Sequence, residues 1–297
     1  MLKWALTVAV SCVLSSTLVA QLKKFYSLNE VSTFDTVNFN FKATSGHSFW
    51  RLVPQENPLN IYGNPDLDKI NPSFDAIINN RVCDVHLKLE EYRASGLGDG
   101  LAFAMLGSAP DEHDANYWKV LLNNDKVYNL DMNFGIGTSD IDLSGAKVKS
   151  LKVTTGSAEV KVNYDEMKPN LCNMDTFLVK VDMGSFTAED LDHAKAKYIE
   201  ANIGFGQAML DFTHPLSNPC LVKANVGLGK LLVYVPINEP VIIYLNESPF
   251  RGLEIVKDFE EVEKNVFINR TFQADAPNLL TFNVDVSLGN ITFLYRD

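Results

Sequence analysis

Six glycines recur through the C-terminal half of this 297-residue chain, each within a stretch of alternating apolar residues. They are Gly137, Gly156, Gly184, Gly206, Gly229 and Gly289. The residue three positions before each glycine is apolar, and so is the residue four positions after it. A straight strand cannot move its apolar residues from odd to even positions without turning its buried face to solvent. We therefore expect the chain to bend at each glycine, where the missing side chain permits a corner.

The spacing of these glycines suits one circuit of a β-coil for each interval except the last. A single coil buries too few side chains to offset the entropy lost in ordering its backbone, so such coils must stack. The sequence thus predicts an all-β protein of stacked glycine-cornered β-coils, of the β-solenoid type, with an irregular N-terminal β region. Ordinary glycine-rich hairpins are the alternative that the sequence leaves open.

The alternation also assigns side chains to faces. Residues directly before the glycines are predicted to be buried: Ile136, Thr155, Met183, Phe205, Leu228 and Leu288. Asp211 is predicted to point outward, so Asp211→Ala should be nearly neutral, whereas Gly206→Val should destabilise the corner.

The chain divides into three regions by pattern. Residues 1–20 read as a signal peptide, because a basic start, a short apolar run and Leu18-Val19-Ala20 follow one another. Residues 21–125 form the N-terminal β region, with a first rung expected near 37–52, around Gly46. Residues 126–297 form the predicted solenoid, with an excursion at 240–276 that we expect to be a hairpin or strand pair laid against the stack.

This arrangement predicts an exported protein, periplasmic or at the cell surface or extracellular. No later stretch is apolar for the roughly 20 residues that a membrane-spanning helix needs. The sequence leaves open whether Cys12 is lipidated. It also leaves open whether Cys172 and Cys220 form a disulfide, since Cys83 makes an odd number beyond the signal peptide.

The charge balance limits the partners. The chain carries 37 acidic and 26 basic residues, a formal net charge of −11 at pH 7. An acidic surface repels phosphate backbones, so nucleic acid is not an expected partner.

We find no pattern typical of catalysis or cofactor binding in the sequence. The densest group of potential ligands, Asp111-Glu112-His113-Asp114, crowds one short stretch and reads as a solvated loop. His193, in Asp190-Leu-Asp-His, reads the same way, and His214 stands in a turn before Pro215. The sequence therefore predicts no catalytic, cofactor-binding or metal-binding residues and no enzyme activity.

Four segments with the glycine corner resemble the toast-rack family. They are Asn133-Phe-Gly-Ile-Gly-Thr-Ser-Asp-Ile-Asp-Leu-Ser-Gly, Thr154-Thr-Gly-Ser-Ala-Glu-Val, Ile203-Gly-Phe-Gly and Asn225-Val-Gly-Leu-Gly. That family is similar to the LiaF-like C-terminal domain and to adhesin-type β-solenoids of bacterial envelope proteins. The resemblance covers residues 126–297 and implies an extracytoplasmic, non-enzymatic role, with no site residues to carry over.

The function expected from these observations is that of a secreted or cell-envelope structural and interaction protein, adhesin-like and non-enzymatic. The alternative is an envelope-stress or regulatory binding module of LiaF-like type. A carbohydrate-active enzyme ranks third. The expected partner is a protein or a surface polymer of unknown identity, and self-association is left open.

Overall fold

The computed structural model describes residues 23–29, 33–91, 116–246 and 252–296. The signal peptide, Cys12 and the Asp111–Asp114 stretch lie outside these ranges. The described part contains strands β1 (Lys24–Leu28), β2 (Thr36–Leu52), β3 (Leu59–Asn64), β4 (Ile70–Asn79), β5 (Val82–Glu91), β6 (Tyr117–Leu122), β7 (Val127–Asp142), β8 (Val148–Thr155), β9 (Glu159–Asn163), β10 (Met174–Val181), β11 (Ser185–Glu189), β12 (Ala196–Ile203), β13 (Gln207–Asp211), β14 (Cys220–Val226), β15 (Lys230–Tyr234), β16 (Val241–Leu245), β17 (Gly252–Ile255), β18 (Glu260–Glu263), β19 (Val266–Ile268), β20 (Leu280–Val286) and β21 (Asn290–Leu294).

The strands stack as rungs of two parallel β-ladders that meet at a corner. The ladder formed before the corner runs β5, β2, β7, β8, β10, β12, β14, β20 and β16. The ladder formed after it runs β6, β2, β7, β9, β11, β13, β15, β21 and β17. Both β2 and β7 pass through the corner without a break. The predicted all-β, solenoid-like fold is confirmed.

The order of rungs in space differs from the order in the chain at both ends. At one end β5 and β6 flank β2 on the side away from β7. At the other end β20 lies between β14 and β16, and β21 lies between β15 and β17. The segment 240–276 therefore contributes a rung of the stack, β16 and β17, as well as the antiparallel β18–β19 hairpin beside it.

Antiparallel strands cover three of the ladder edges. β4 pairs with β5, β3 pairs with β6 and carries β1 on its other side, and β19 pairs with β16. The outermost strand, β18, exposes Glu260, Glu261 and Glu263. Charged side chains on an edge strand disfavour pairing with another chain.

Side chains of the two ladders interdigitate to form one continuous core. Large aromatic residues fill it, with Phe41 and Trp50 packed edge to face at 5.0 Å between ring centroids and Phe282 and Phe293 at 5.1 Å. Such residues contribute the largest buried apolar areas.

The register corrects the predicted position of one glycine. The corner glycines of neighbouring rungs stack on one another, but Gly156 does not take part in this stack. Gly184 lies over Ala158 instead. In this rung the residue three positions before the corner is Thr155, which is buried and donates a hydrogen bond from Oγ1 to the carbonyl oxygen of Ala158. A slip of two residues keeps the same face of the strand buried, so alternation alone could not detect it.

Close approach between neighbouring rungs explains most of the corner glycines. A Cβ at Gly184, Gly206, Gly229 or Gly289 would overlap the corner carbonyl oxygen of the preceding rung. Only Gly46 (φ 121°) and Gly137 (φ 119°) combine this contact with a left-handed backbone. The corner therefore selects glycine mainly for its small size.

Asp211 is buried, contrary to the prediction that it is free in solvent. Its carboxylate accepts hydrogen bonds from the backbone nitrogen of Thr213 at 3.1 Å and from the Thr213 hydroxyl. Arg296, near the C-terminus, forms an ion pair with it. Asp211 does lie on the outward parity of β13, but these neighbours exclude solvent from it.

Gly206→Val should lower the free energy of unfolding by more than about 1 kcal/mol. The new side chain would overlap the Gly184 carbonyl oxygen and would start 2.6 Å from Cγ1 of Val181. Urea denaturation measures the change, with the exposed Gln207→Ala as control, expected within about 0.5 kcal/mol of wild type. Equal losses in the two variants would contradict the corner assignment.

Asp211→Ala should also destabilise the protein by more than about 1 kcal/mol, because it removes a buried carboxylate that accepts two hydrogen bonds and pairs with Arg296. The matched control is Asp131→Ala, whose ion pair with Lys152 is about half exposed and is expected to contribute at most about 0.5 kcal/mol. Thermal and urea unfolding compare the two. A neutral Asp211→Ala would show that this buried contact adds no stability.

Candidate functional site

Four large apolar side chains project from the corner of consecutive rungs. The exposed fractions are 57% for Met183, 71% for Phe205, 51% for Leu228 and 58% for Leu288. These residues were predicted to be buried, and that prediction is wrong. The chain already turns two residues before the corner glycine, so the intervening side chain points out to solvent. We call these four residues the corner ridge.

Backbone hydrogen bonds hold the corner ridge in register. The amide of Phe205 donates to the carbonyl of Asp182 at 2.7 Å, and the amide of Leu228 donates to that of Gly204 at 2.8 Å. Corresponding bonds position Met183 and Leu288. Because neighbouring parallel strands lie about 4.8 Å apart, the four side chains form one line about 14 Å long.

Polar residues border the ridge on the side that follows the corner. They are Ser185, Gln207, Lys230 and Asn290, which start β11, β13, β15 and β21. The preceding rung carries Ser157 instead of an apolar residue at the equivalent position. A contiguous exposed apolar patch with a polar rim is typical of a protein contact surface.

A second surface lies at the N-terminal end of the stack. Phe25 and Tyr62 are exposed, and their ring centroids are 4.8 Å apart. They line a groove of about 380 Å³ together with Lys24 and Lys119. The exposed rings and lysines offer stacking and charge to a partner, in a protein that is acidic overall.

A third feature is a group of ionisable side chains that the sequence separates. Asp192 and His193 lie in a 3₁₀ turn, Leu191–Ala194, and His214 follows β13 on the next rung. Nε2 of His193 is 3.3 Å from Oδ1 of Asp192. Nδ1 of His214 is 3.7 Å from Oδ2 of Asp192 and 3.4 Å from Oδ1 of Asp190. The two imidazole centroids are 5.0 Å apart.

Asp192 is the buried member of this group. Its side chain has no exposed area, and burial raises the pKa of its carboxyl, opposed by the hydrogen bond from the His214 amide and by the two imidazoles. Three buried atoms make contacts but no hydrogen bonds: Oδ1 of Asp192, Nε2 of His193 and Nδ1 of His214. Each buried polar atom without a partner costs about 1–3 kcal/mol.

The sequence missed this group because its members belong to different rungs. Asp190 and His193 were interpreted as a solvated loop and His214 as a turn. His193 and His214 are about one circuit of the coil apart in the chain. Because β11 pairs in parallel with β13, the turns that follow these two strands lie next to each other. A search for ionisable residues at one-circuit spacing in the turns would have found them.

Cys172 and Cys220 do not form the disulfide that the sequence left open, because both are free thiols. Burial raises the pKa of Cys220 to about 12, so its thiol stays protonated and packs as a small apolar side chain.

Among the described residues there is no helix of the length and apolarity required to span a membrane.

Residues 104–184 match the family model for the N-terminal domain of toast_rack, DUF2154. Two crystal structures align with nearly the whole chain. A provisionally assigned cell adhesion protein from Clostridium sporogenes ATCC 15579 is 13% identical, with a TM-score of 0.40, over 93% of this chain and 99% of that one. A provisionally assigned adhesin from Parabacteroides merdae ATCC 43184 is 12% identical, with a TM-score of 0.21, over 92% and 95%. No curated protein sequence matches the chain.

The resemblance to the toast-rack family is confirmed by this match, over the rungs from β6 to the corner of β10 and β11.

Proposed function

We propose that this chain, which carries a toast-rack domain, is an exported structural and interaction protein of the bacterial cell envelope, adhesin-like and non-enzymatic. The corner ridge is its contact surface. The single observation that carries this proposal is the line of four exposed apolar side chains, which a rigid stack of backbone hydrogen bonds presents to solvent.

The energetics of the ridge favour a protein partner. Burying one large apolar side chain contributes about 1.5–3 kcal/mol. Four such side chains on a rigid backbone would lose little entropy on binding, because the backbone is already ordered. A partner with a complementary apolar strip therefore gains affinity without a deep pocket.

Asp175 on the outer face of β10 belongs to a surface ion-pair network. Asp175 lies between Lys149 and Lys197, at 3.1 Å and 3.0 Å. Hydrogen bonds from Lys197 and Lys149 lower the pKa of its carboxyl. This carboxyl therefore stays ionised and is unsuited to act as a general acid, which needs a raised pKa.

The export assignment rests on residues 1–20, whose order of basic, apolar and small residues is that of a signal peptide. The exposed ridge is compatible with the cell envelope, because a partner fixed there would bury its apolar side chains.

Replacing Phe205 and Leu228 together by serine should weaken binding to the envelope partner at least tenfold, since each loses the burial of a large side chain. Fractionation of cells that produce the protein would measure the envelope-bound share. The matched control is Leu171→Ser with Ile237→Ser, two apolar residues that are each about half exposed and lie off the ridge. An unchanged share for the ridge variant, with an unchanged urea midpoint, would refute the ridge as the contact surface.

Photo-crosslinking distinguishes the partners. A photo-reactive amino acid in place of Phe205 should capture one discrete envelope protein in the native host, and the same group in place of Ile237 should not. Adducts only to a second copy of this chain would indicate self-association. A membrane-bound regulator as the captured protein would favour the stress-sensing alternative.

A further inference from the structure

The turns of two neighbouring rungs converge at the end of β11. The 3₁₀ turn Leu191–Ala194 is bracketed by Asp190 and Lys195, two left-handed residues with φ 51° and 56°. Asn170 fixes the turn from the preceding rung: its side-chain nitrogen donates to the carbonyl of Ala194 at 3.0 Å, and its amide donates to that of His193 at 3.0 Å. The backbone that carries Asp192 and His193 is therefore held in place independently of any ligand.

His214 reaches the same point from the next rung. Its amide donates to Oδ2 of Asp192 at 3.0 Å, which anchors the loop after β13 to the 3₁₀ turn. The ring then lies beside that of His193, tilted by 32°. Two imidazoles and a carboxylate face one another across the rung interface.

The atoms that face one another lack hydrogen bonds. Oδ1 of Asp192, Nε2 of His193 and Nδ1 of His214 are buried and make no hydrogen bond, although each of the three residues places one ligand atom within 4.8 Å of those of the other two. The Asp192 side chain is wholly buried, so water does not compensate its charge from the surface. The carboxylate oxygen and the imidazole nitrogens can each offer a lone pair to a metal ion placed between them.

We propose that Asp192, His193 and His214 bind a divalent first-row transition-metal ion, for which Zn²⁺ is the appropriate probe. A tetrahedral zinc with bonds of about 2.0–2.2 Å holds its ligand atoms about 3.3–3.6 Å apart. Nε2 of His193 and Oδ1 of Asp192 already have this separation, at 3.3 Å. Two imidazoles with one carboxylate form a donor set that suits zinc and its neighbours, and not calcium or magnesium.

Asp190 and solvent complete the surroundings of the site. Oδ1 of Asp190 is 3.4 Å from Nδ1 of His214, close enough to become a fourth ligand. The side chains of His193 and His214 are 15% and 34% exposed, so an ion can enter from solvent. The ligands come from two rungs, and a bound ion would therefore link the β11 turn to the loop after β13.

Isothermal titration of the chelator-treated mature protein with Zn²⁺ tests the site directly. We expect one ion per chain, and at least a tenfold loss of affinity in His214→Asn and in His193→Asn. The matched control is His86→Asn, a histidine on the exposed face of β5, which should bind as wild type does. Circular dichroism and urea unfolding establish that each variant is folded. If His214→Asn does not fold, His193→Asn decides the outcome alone.

Two readouts distinguish a built site from loose surface binding. Co²⁺ in the wild-type protein should give the intense visible absorption of a tetrahedral site, and His193→Asn should abolish it. Zn²⁺ should raise the melting temperature of the wild type and leave that of the folded histidine variants unchanged. No saturable Zn²⁺ binding, or equal binding by wild type and both ligand variants, would overturn the proposal.

Discussion

The stack depends on how closely one rung can approach the next at the corner. At Gly184, Gly206, Gly229 and Gly289 the backbone lies so near the preceding corner carbonyl that any Cβ would overlap it. Amides on either side of these glycines donate hydrogen bonds to the same preceding rung. Glycine allows both ladders to keep their strand spacing while the chain turns, so the pairing continues through the bend.

The same constraint produces the exposed ridge. A chain that turns tightly around a backbone contact must direct one side chain outward at the apex. In four successive rungs that side chain is large and apolar, which costs solubility and adds nothing to the core. A purely structural corner would be satisfied by a polar residue, as Ser157 shows one rung earlier. The apolar choice therefore bears on interaction more than on folding.

Stacking also decides where polar groups meet. Residues one circuit apart in the chain become neighbours, as His193 and His214 do. Buried polar side chains in other turns have hydrogen-bond partners. Nδ2 of Asn170 donates to the carbonyl oxygens of Val148 and Ala194. The carboxylate of Asp211 accepts a hydrogen bond from Thr213 and forms an ion pair with Arg296. The Asp192 group keeps three buried atoms without such bonds. The turn that carries Asp192 therefore differs from the turns that carry Asn170 and Asp211, whose buried polar groups are hydrogen-bonded.

The sequence by itself determined the all-β class and the corners, because alternation has a period of two and its parity can change only where the chain bends. It did not determine the register, and so it misplaced Gly156 by two residues, a shift that leaves every side chain on the same face. It also assigned Phe205 and its equivalents to the core, since parity says nothing about where within a turn the backbone reverses. The burial of Asp211, the insertion of β20 between β14 and β16, and the meeting of Asp192 with His214 were decided only in the tertiary structure. Each of them depends on contacts between segments that are distant in the chain, which no local pattern records.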